Sequence, residues 1–215
     1  NLSVQRQFGN DWSVDLSYLG NKATHIWADR QAKPVIYIPG SSTTATANIA
    51  SRRLLTMLNP TVGPYYNSII ETVPGGNISY NGMVVKVQKR FSGRFTVQSN
   101  YTLGHCISDM DPDQFLDGQD YINWNNRKAD RGNCSQDRRH LANNSVIVST
   151  PTIGSPLTRK IVGGWQLSTI YRMQSGQPLT ITTTGDRGLL SSAQRPDRIG
   201  SGEIDNPTIA KWFDT

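Results

Sequence analysis

From Val84 to Gly104 the chain reads VVKVQKRFSGRFTVQSNYTLG, two alternating stretches joined at Ser92-Gly93. The first sets Val85 and Val87 against Lys86, Gln88 and Arg90. The second sets Phe95, Val97 and Tyr101 against Thr96, Gln98 and Asn100. A period of two, with β-branched and aromatic residues on one side, marks a strand with one dry and one wet face. A chain built on this pattern is all-β and antiparallel. The open question is what covers the dry face, a second protein layer or lipid.

The same alternation recurs at 1–8, 12–20, 143–150 and 164–173, giving about six strands. Trp12, Val14, Leu16 and Tyr18 share one side of the second strand, and Trp165, Leu167 and Tyr171 share one side of the last. Gln166 and Arg172 take the opposite side. The connections are uneven. Gly9-Asn10-Asp11 and Ser92-Gly93 are hairpin turns, and PTIGSPLTRK (151–160) reads as a modest turn with two prolines. Residues 21–81 and 104–142 read as long loops, and the chain past Gln174 is turn-rich. YYNSIIETV (65–73) reads as one arm of a hairpin within the first long connection, because a lone spanning strand there would break the up-down order. Loops beyond about 12–15 residues are uncommon in globular domains.

Short turns at one rim and long loops at the other describe a transmembrane β-barrel. Phe8, Trp12, Phe91, Phe95 and Trp165 lie at the short-turn ends, with Tyr18, Tyr101 and Tyr171 six residues beyond Trp12, Phe95 and Trp165. That spacing corresponds to two aromatic girdles about 20 Å apart along the strands. The expected lipid-facing set is Trp12, Val14, Leu16, Tyr18, Val85, Val87, Phe95, Val97, Tyr101, Trp165, Leu167 and Tyr171. The expected lumen-lining set is Lys86, Gln88, Arg90, Gln98, Asn100, Gln166 and Arg172. Lys89 falls on the apolar side beside the turn, where it is expected to snorkel to lipid head groups.

Composition fits. Hydrophobic residues make up 36% and mean hydropathy is −0.48, low for a chain that fills a dense core but natural where half of every strand is wet. No run approaches the roughly 18 apolar residues of a membrane helix. The net charge of +6 comes from scattered Lys and Arg, without the basic arm or stacking platform of a nucleic-acid binder. The chain opens on Asn1 with no hydrophobic leader and so reads as processed or partial.

Five landmarks, in order, carry a resemblance: SYLGNKATHI (17–26), ISYNGMVVKVQKRFSGRFTVQSNYTLG (78–104), DRGNCSQDRRH (130–140), GGWQLSTIYRMQSGQPLTI (163–181) and KWFDT (211–215). They resemble TonB-dependent-receptor-like outer-membrane proteins of the Oar type, which carry a carboxypeptidase-regulatory-like domain. The resemblance implies the C-terminal part of a larger barrel with an N-terminal plug, in the bacterial outer membrane. It also implies a TonB-type energy complex as partner, and transport of a bulky, unidentified substrate. Residues 1–215 would then be a fragment of one barrel domain, with 21–81 and 104–142 as its long extracellular loops. The alternative is an outer-membrane structural or adhesive protein without active transport.

The loops hold the remaining candidates. Cys106 and Cys134 share one long loop and are a disulfide candidate, which the spacing favours over free thiols. A zinc site from His105, Cys106, Cys134 and His140 is the sharper alternative, but lacks a C-x-x-C pair. Asp109, Asp111 and Asp113 start a calcium-like loop, continued by Asp117 and Asp120. Gln114 stands where an EF-hand needs glycine, so the 109–120 loop is a weak Ca²⁺ candidate. ADRGNCSQDRRH contains Asp, Arg, Ser and His, yet no nucleophile elbow or phosphate loop accompanies it. Asp130, Arg131, Asp137 and Arg138 are expected to form ion pairs ordering the loop, and no enzyme activity is expected.

Overall fold

The computed structural model describes residues 1–36, 38, 49–92, 94–110, 121, 123–151, 154–181, 195–209 and 211–212, without the side chains of Phe91 and Thr158. Gly93, Asp111, Asp113, Asp117, Asp120 and the last three residues of KWFDT lie outside this set. The chain divides into two units, Asn1–Gln31 with Ile70–Leu179, and Ala32–Ile69 with Thr180–Thr215.

The first unit is a seven-stranded antiparallel sheet. Its strands are β1 (Leu2–Phe8), β2 (Trp12–Gln31), β3 (Ile70–Ser92), β4 (Phe95–Ser108), β5 (Gly132–Asn133), β6 (His140–Ser149) and β7 (Gln166–Gln174). The spatial order is β1-β2-β3-β4-β6-β7, with the two-residue β5 beside β4. Among the described residues β1 and β7 each have one neighbour, so the ladder has two open edges.

Two boundaries differ from the sequence reading. The β2–β3 ladder does not end near Gly20. It runs from Trp12↔Lys89 to Gln31↔Ile70, so 21–31 and 70–81 are strand and only 32–69 connects them. Polar residues in this stretch hid it from a pattern search. Ile70–Val73 is indeed a hairpin arm, but of β2–β3 itself, pairing with Ala28–Gln31. A register shift at His25, which adopts φ 60°, breaks the alternation there and marks a bulge. Pro74 lies beyond the end of the β3–β4 ladder at Ile78↔Ser108, where β3 pairs with β2 alone and so has an edge on which a proline is tolerated. In the second long loop, 104–108, 132–133 and 140–142 are likewise strand.

The connection between β6 and β7 also differs. Residues Pro156–Val162 form a helix, α3, where a turn was expected. Pro156 opens it, where a missing N–H costs nothing, and Gly164 at φ 78° closes it.

Register sorts the side chains into two faces. One carries Leu2, Val4, Phe8, Trp12, Val14, Leu16, Tyr18, Met83, Val85, Val87, Phe95, Val97, Tyr101, Leu103, Val146, Val148, Leu167 and Tyr171. This apolar face is open: Trp12 is 40% exposed, Leu16 47% and Leu167 71%. The buried apolar cluster lies elsewhere, at Ala28, Met110 and Tyr121 with Trp124 against it.

The girdles have a slope. Tyr101 sits opposite Val85 and so level with Leu16, one alternation short of Tyr18. Tyr171 sits opposite Asn144 and Ser99, one alternation short of Tyr101. The lower ring steps identically, from Trp12 (level with Val97) to Phe95, then from Leu167 (level with Phe95) to Trp165. Each girdle therefore shifts one residue per strand. At ~3.3 Å per residue and ~4.8 Å between strands, the girdle lines run about 35° off the perpendicular to the strands. Strands of membrane barrels tilt by ~35–45°. A strand tilt in that range would bring these aromatic residues level in a bilayer.

In the second unit, α1 (Ile49–Arg52) and α2 (Leu54–Leu58) fold with a 3-10 turn at Gly63–Tyr65. Lys33 is buried, and its Nζ donates to the carbonyls of Gly63 (2.6 Å) and Tyr66. Arg53 donates to the Lys33 carbonyl at 3.1 Å. Burial pushes the Lys33 ammonium below the ordinary lysine value, and the Arg53 charge pushes the same way. Gly63 is required by packing, since a Cβ there would stand 2.4 Å from the Thr56 Cα.

Candidate functional site

The polar face of the sheet brings the expected lumen residues together. One cross-strand row runs Gln5, Asp15, Lys86, Asn100, Asn143, Arg172. The next runs Gln7, Ser13, Gln88, Gln98, Ser145, Ile170. Gln166 shares this face through its pairing with Ser149. Arg90 lies past the last regular pair, where the register shifts between Lys89 and Ser92, and its N–H donates to the Asp11 carbonyl at 2.8 Å. Gln5, Asp15 and Asn143 complete the first row and were not singled out from the sequence. Alternation would have found them once pairing was known. Asp15 accepts from Ser17 Oγ at 2.6 Å and Ser3 Oγ at 3.0 Å, which fixes its carboxylate opposite Lys86. Lys86 and Arg172 against Asp15 leave this row with a net positive charge, and Arg90 adds to it from beyond the last regular pair.

Farther along the same face, Tyr80 lies over two glycines. A Cβ at Gly82 or at Gly104 would meet its hydroxyl at 2.7 Å. On the opposite face Tyr18 lies over Gly20 and donates to Asn81 Oδ1 at 2.6 Å. The glycines open the space in which each ring lies flat.

Lys89 corrects the sequence reading. It is only 6% exposed and folds back under its own turn. Its Nζ donates to the Ser92 carbonyl (2.8 Å) and Oγ (3.0 Å) and stands 3.8 Å from the Phe95 ring centroid. Ser92 Oγ in turn donates to Asp11. The ammonium braces two adjacent turns, because the Ser92 carbonyl and hydroxyl lie within its reach and Ser92 is itself tied to Asp11.

Above the sheet, Cys106 and Cys134 are joined by a disulfide. The bond fastens the β5 arm to β4, where the Cys134 N–H also donates to the Cys106 carbonyl at 3.1 Å. Their sulfurs are therefore not metal ligands. His105 faces Asn133 Oδ1 at 3.1 Å, and His140 Nδ1 lies 2.8 Å from the Tyr101 hydroxyl, so the zinc set is not assembled. Asp137 Oδ1 accepts from the Cys106 N–H at 2.9 Å, and Arg138 donates to the Ser175 carbonyl at 3.0 Å. Both were expected in ion pairs and reach backbone groups instead.

Asp109 closes the β2–β3 extension. Its carboxylate accepts from the Asn77 N–H (2.6 Å) and side-chain amide (3.1 Å). Of the calcium triad it alone is described, and no cluster of three metal-ligating side chains occurs among the described residues. Trp124 lies between Arg30 (5.6 Å) and Arg127 (5.5 Å) and packs edge-on against Tyr121. Arg127 also donates to the Gly75 carbonyl. Burial raises the Tyr121 phenol above its usual value, and the Asp109 charge adds to it. Nothing in the sequence pattern pointed to this cluster, whose members come from three separate segments.

With these faces in place, comparison with known families decides the class. A family model described as "Outer membrane beta barrel domain" matches residues 1–215. The chain belongs to that family. This outer-membrane barrel domain therefore resides in the bacterial outer membrane and crosses lipid with strands. No helix among its described residues is long and apolar enough to cross a membrane, which is silent about strands. No curated protein matches the barrel domain, and no solved structure does.

Proposed function

We propose that this barrel domain is part of a transporter similar to the TonB-dependent receptors of the Oar type, moving a bulky substrate across the outer membrane. The observation that carries the reading is one ladder divided into a dry and a wet face, with two sloping aromatic rings on the dry side. In this reading the apolar face meets hydrocarbon. Lys86, Gln88, Arg90, Gln98, Asn100, Gln166 and Arg172 line the lumen. Their surplus positive charge attracts anionic groups of cargo or plug. The long connections gather cargo outside, an energy complex acts on the plug from within, and the protein makes and breaks no covalent bond.

Residues 1–215 are then one portion of a larger barrel. The open edges of β1 and β7 support this, because unpaired strand edges in a bilayer must find partners. An adhesive surface protein is the second reading, favoured by the disulfide and the Trp124 stack that stiffen the loops.

The test combines the denatured mass of the native polypeptide with in-cell cross-linking to the TonB-type protein. The expected result is a band several times larger than 23.8 kDa and a cross-link lost on collapsing the proton gradient. A band near 23.8 kDa without any cross-link refutes the transporter.

A further inference from the structure

Helix α3 has an apolar side that no described residue covers. Leu157 is 70% exposed and Ile161 62%, and their spacing of four places them on the same side. Arg159 and Lys160 project from the rest of the circumference. The helix is fastened to the strand ends. Trp165 Nε1 donates to the Ile161 carbonyl at 2.7 Å, its backbone N–H donates to Thr150 Oγ1 at 3.0 Å, and the Thr150 N–H returns to its carbonyl at 2.9 Å. Trp165 belongs by alternation to the face of Leu167, the lowest step of the short-turn girdle. Trp165 thereby ties the C-terminal end of α3 to the edge of the face assigned to lipid.

We infer that α3 is an interfacial anchor, with Leu157 and Ile161 entering the phospholipid layer at the short-turn rim, and Arg159 and Lys160 contacting its phosphates. An amphipathic segment with cations on one side and a tryptophan at its end has the chemistry of an element lying in the head-group plane. The alternative occupant is protein, either a plug or a periplasmic domain. The inference rests on the lipid-facing reading of the sheet, so its test carries that reading as a control.

Nitroxide labels are placed on Leu157→Cys, Ile161→Cys, Arg159→Cys and Val85→Cys in the full-length protein. Cys106 and Cys134 are already paired and take no label. The protein is reconstituted into vesicles of phosphatidylethanolamine and phosphatidylglycerol. Collision rates with oxygen, which concentrates in hydrocarbon, and with a water-soluble nickel chelate report depth. The expected result is an oxygen-to-nickel ratio several-fold higher at 157 and 161 than at 159, approaching that at 85. Equal, water-like ratios at 157, 161 and 159 with a lipid-like value at 85 overturn the anchor alone. Shielding of 157 and 161 from both reagents shows that protein covers the helix and also overturns it. A water-like value at 85 overturns the lipid-facing reading and the anchor together.

Discussion

Replacing Val87 with arginine tests the lipid assignment most directly. Interpolating between the two girdles across β3 places Val87 midway, with Val14 and Ser99 beside it on the same row. An arginine on the lipid side of a barrel costs about 2–4 kcal/mol at the bilayer midplane and ~0–1 near the interface. Val87→Arg is thus expected to lower the folding constant by about 30-fold to 700-fold, at ~1.4 kcal/mol per factor of ten. Phe95→Arg, on the lower ring, adds the loss of a ring that braces Lys89, and Val97 pairs directly with Lys89, so Val85→Arg, on the same strand as Val87 and one residue inside the upper ring, is the cleaner near-interface comparison. Gln88→Arg differs from Val87→Arg by one position, but faces the wet side and should change stability by no more than about 0.5 kcal/mol. The assay is reversible denaturant unfolding of the full-length protein in vesicles, followed by tryptophan fluorescence. A protein core would also reject an arginine in place of Val87, but its penalty would not track distance from the girdles. Equal costs for the Val87 and Gln88 substitutions, or a cost at Val85 as large as at Val87, refute the argument.

Ser99 Oγ donates to Asn144 Oδ1 at 2.6 Å on the apolar face, so Ser99→Ala should cost about 1–2 kcal/mol by stranding the amide, while Ser99→Ala with Asn144→Val should be nearly neutral in the same unfolding assay. Removing the disulfide with Cys106→Ser and Cys134→Ser frees a loop of 28 residues, a loss equivalent to roughly 3–4 kcal/mol, and should speed protease cleavage of that loop without altering the sheet's circular dichroism. For Lys33 the folded value lies below the unfolded one, so the unfolded segment holds its proton more tightly, and stability of the 32–69 unit should rise with pH through the window below 10.5. Proteolysis of 32–69 should slow between neutral and alkaline pH, and Lys33→Met should abolish that slope; a slope of opposite sign contradicts the burial argument. Tyr121 shifts upward, so loop stability should fall only above pH 10.0, read as a late tyrosinate absorbance that Tyr121→Phe removes.

Alternation alone determined that this chain is all-β, which side of each strand gathers its apolar residues, and most of the residues on the polar face. A period of two is written locally, and Lys86 and Val87 declare their faces without reference to any neighbour. The spacing of Trp12 to Tyr18, Phe95 to Tyr101 and Trp165 to Tyr171 was equally legible. Only the tertiary structure decided the rest. That the two aromatic lines step by one residue per strand depends on the cross-strand register, which no single strand encodes. The β2–β3 extension stays paired although polar residues and a bulge interrupt its alternation, because backbone hydrogen bonds need no apolar face. Lys89 turned inward because Ser92 and Asp11 meet there, and Trp124 found Arg30 across a segment far away in the chain. Contacts of that kind come from where strands end relative to one another, a property of the assembled ladder.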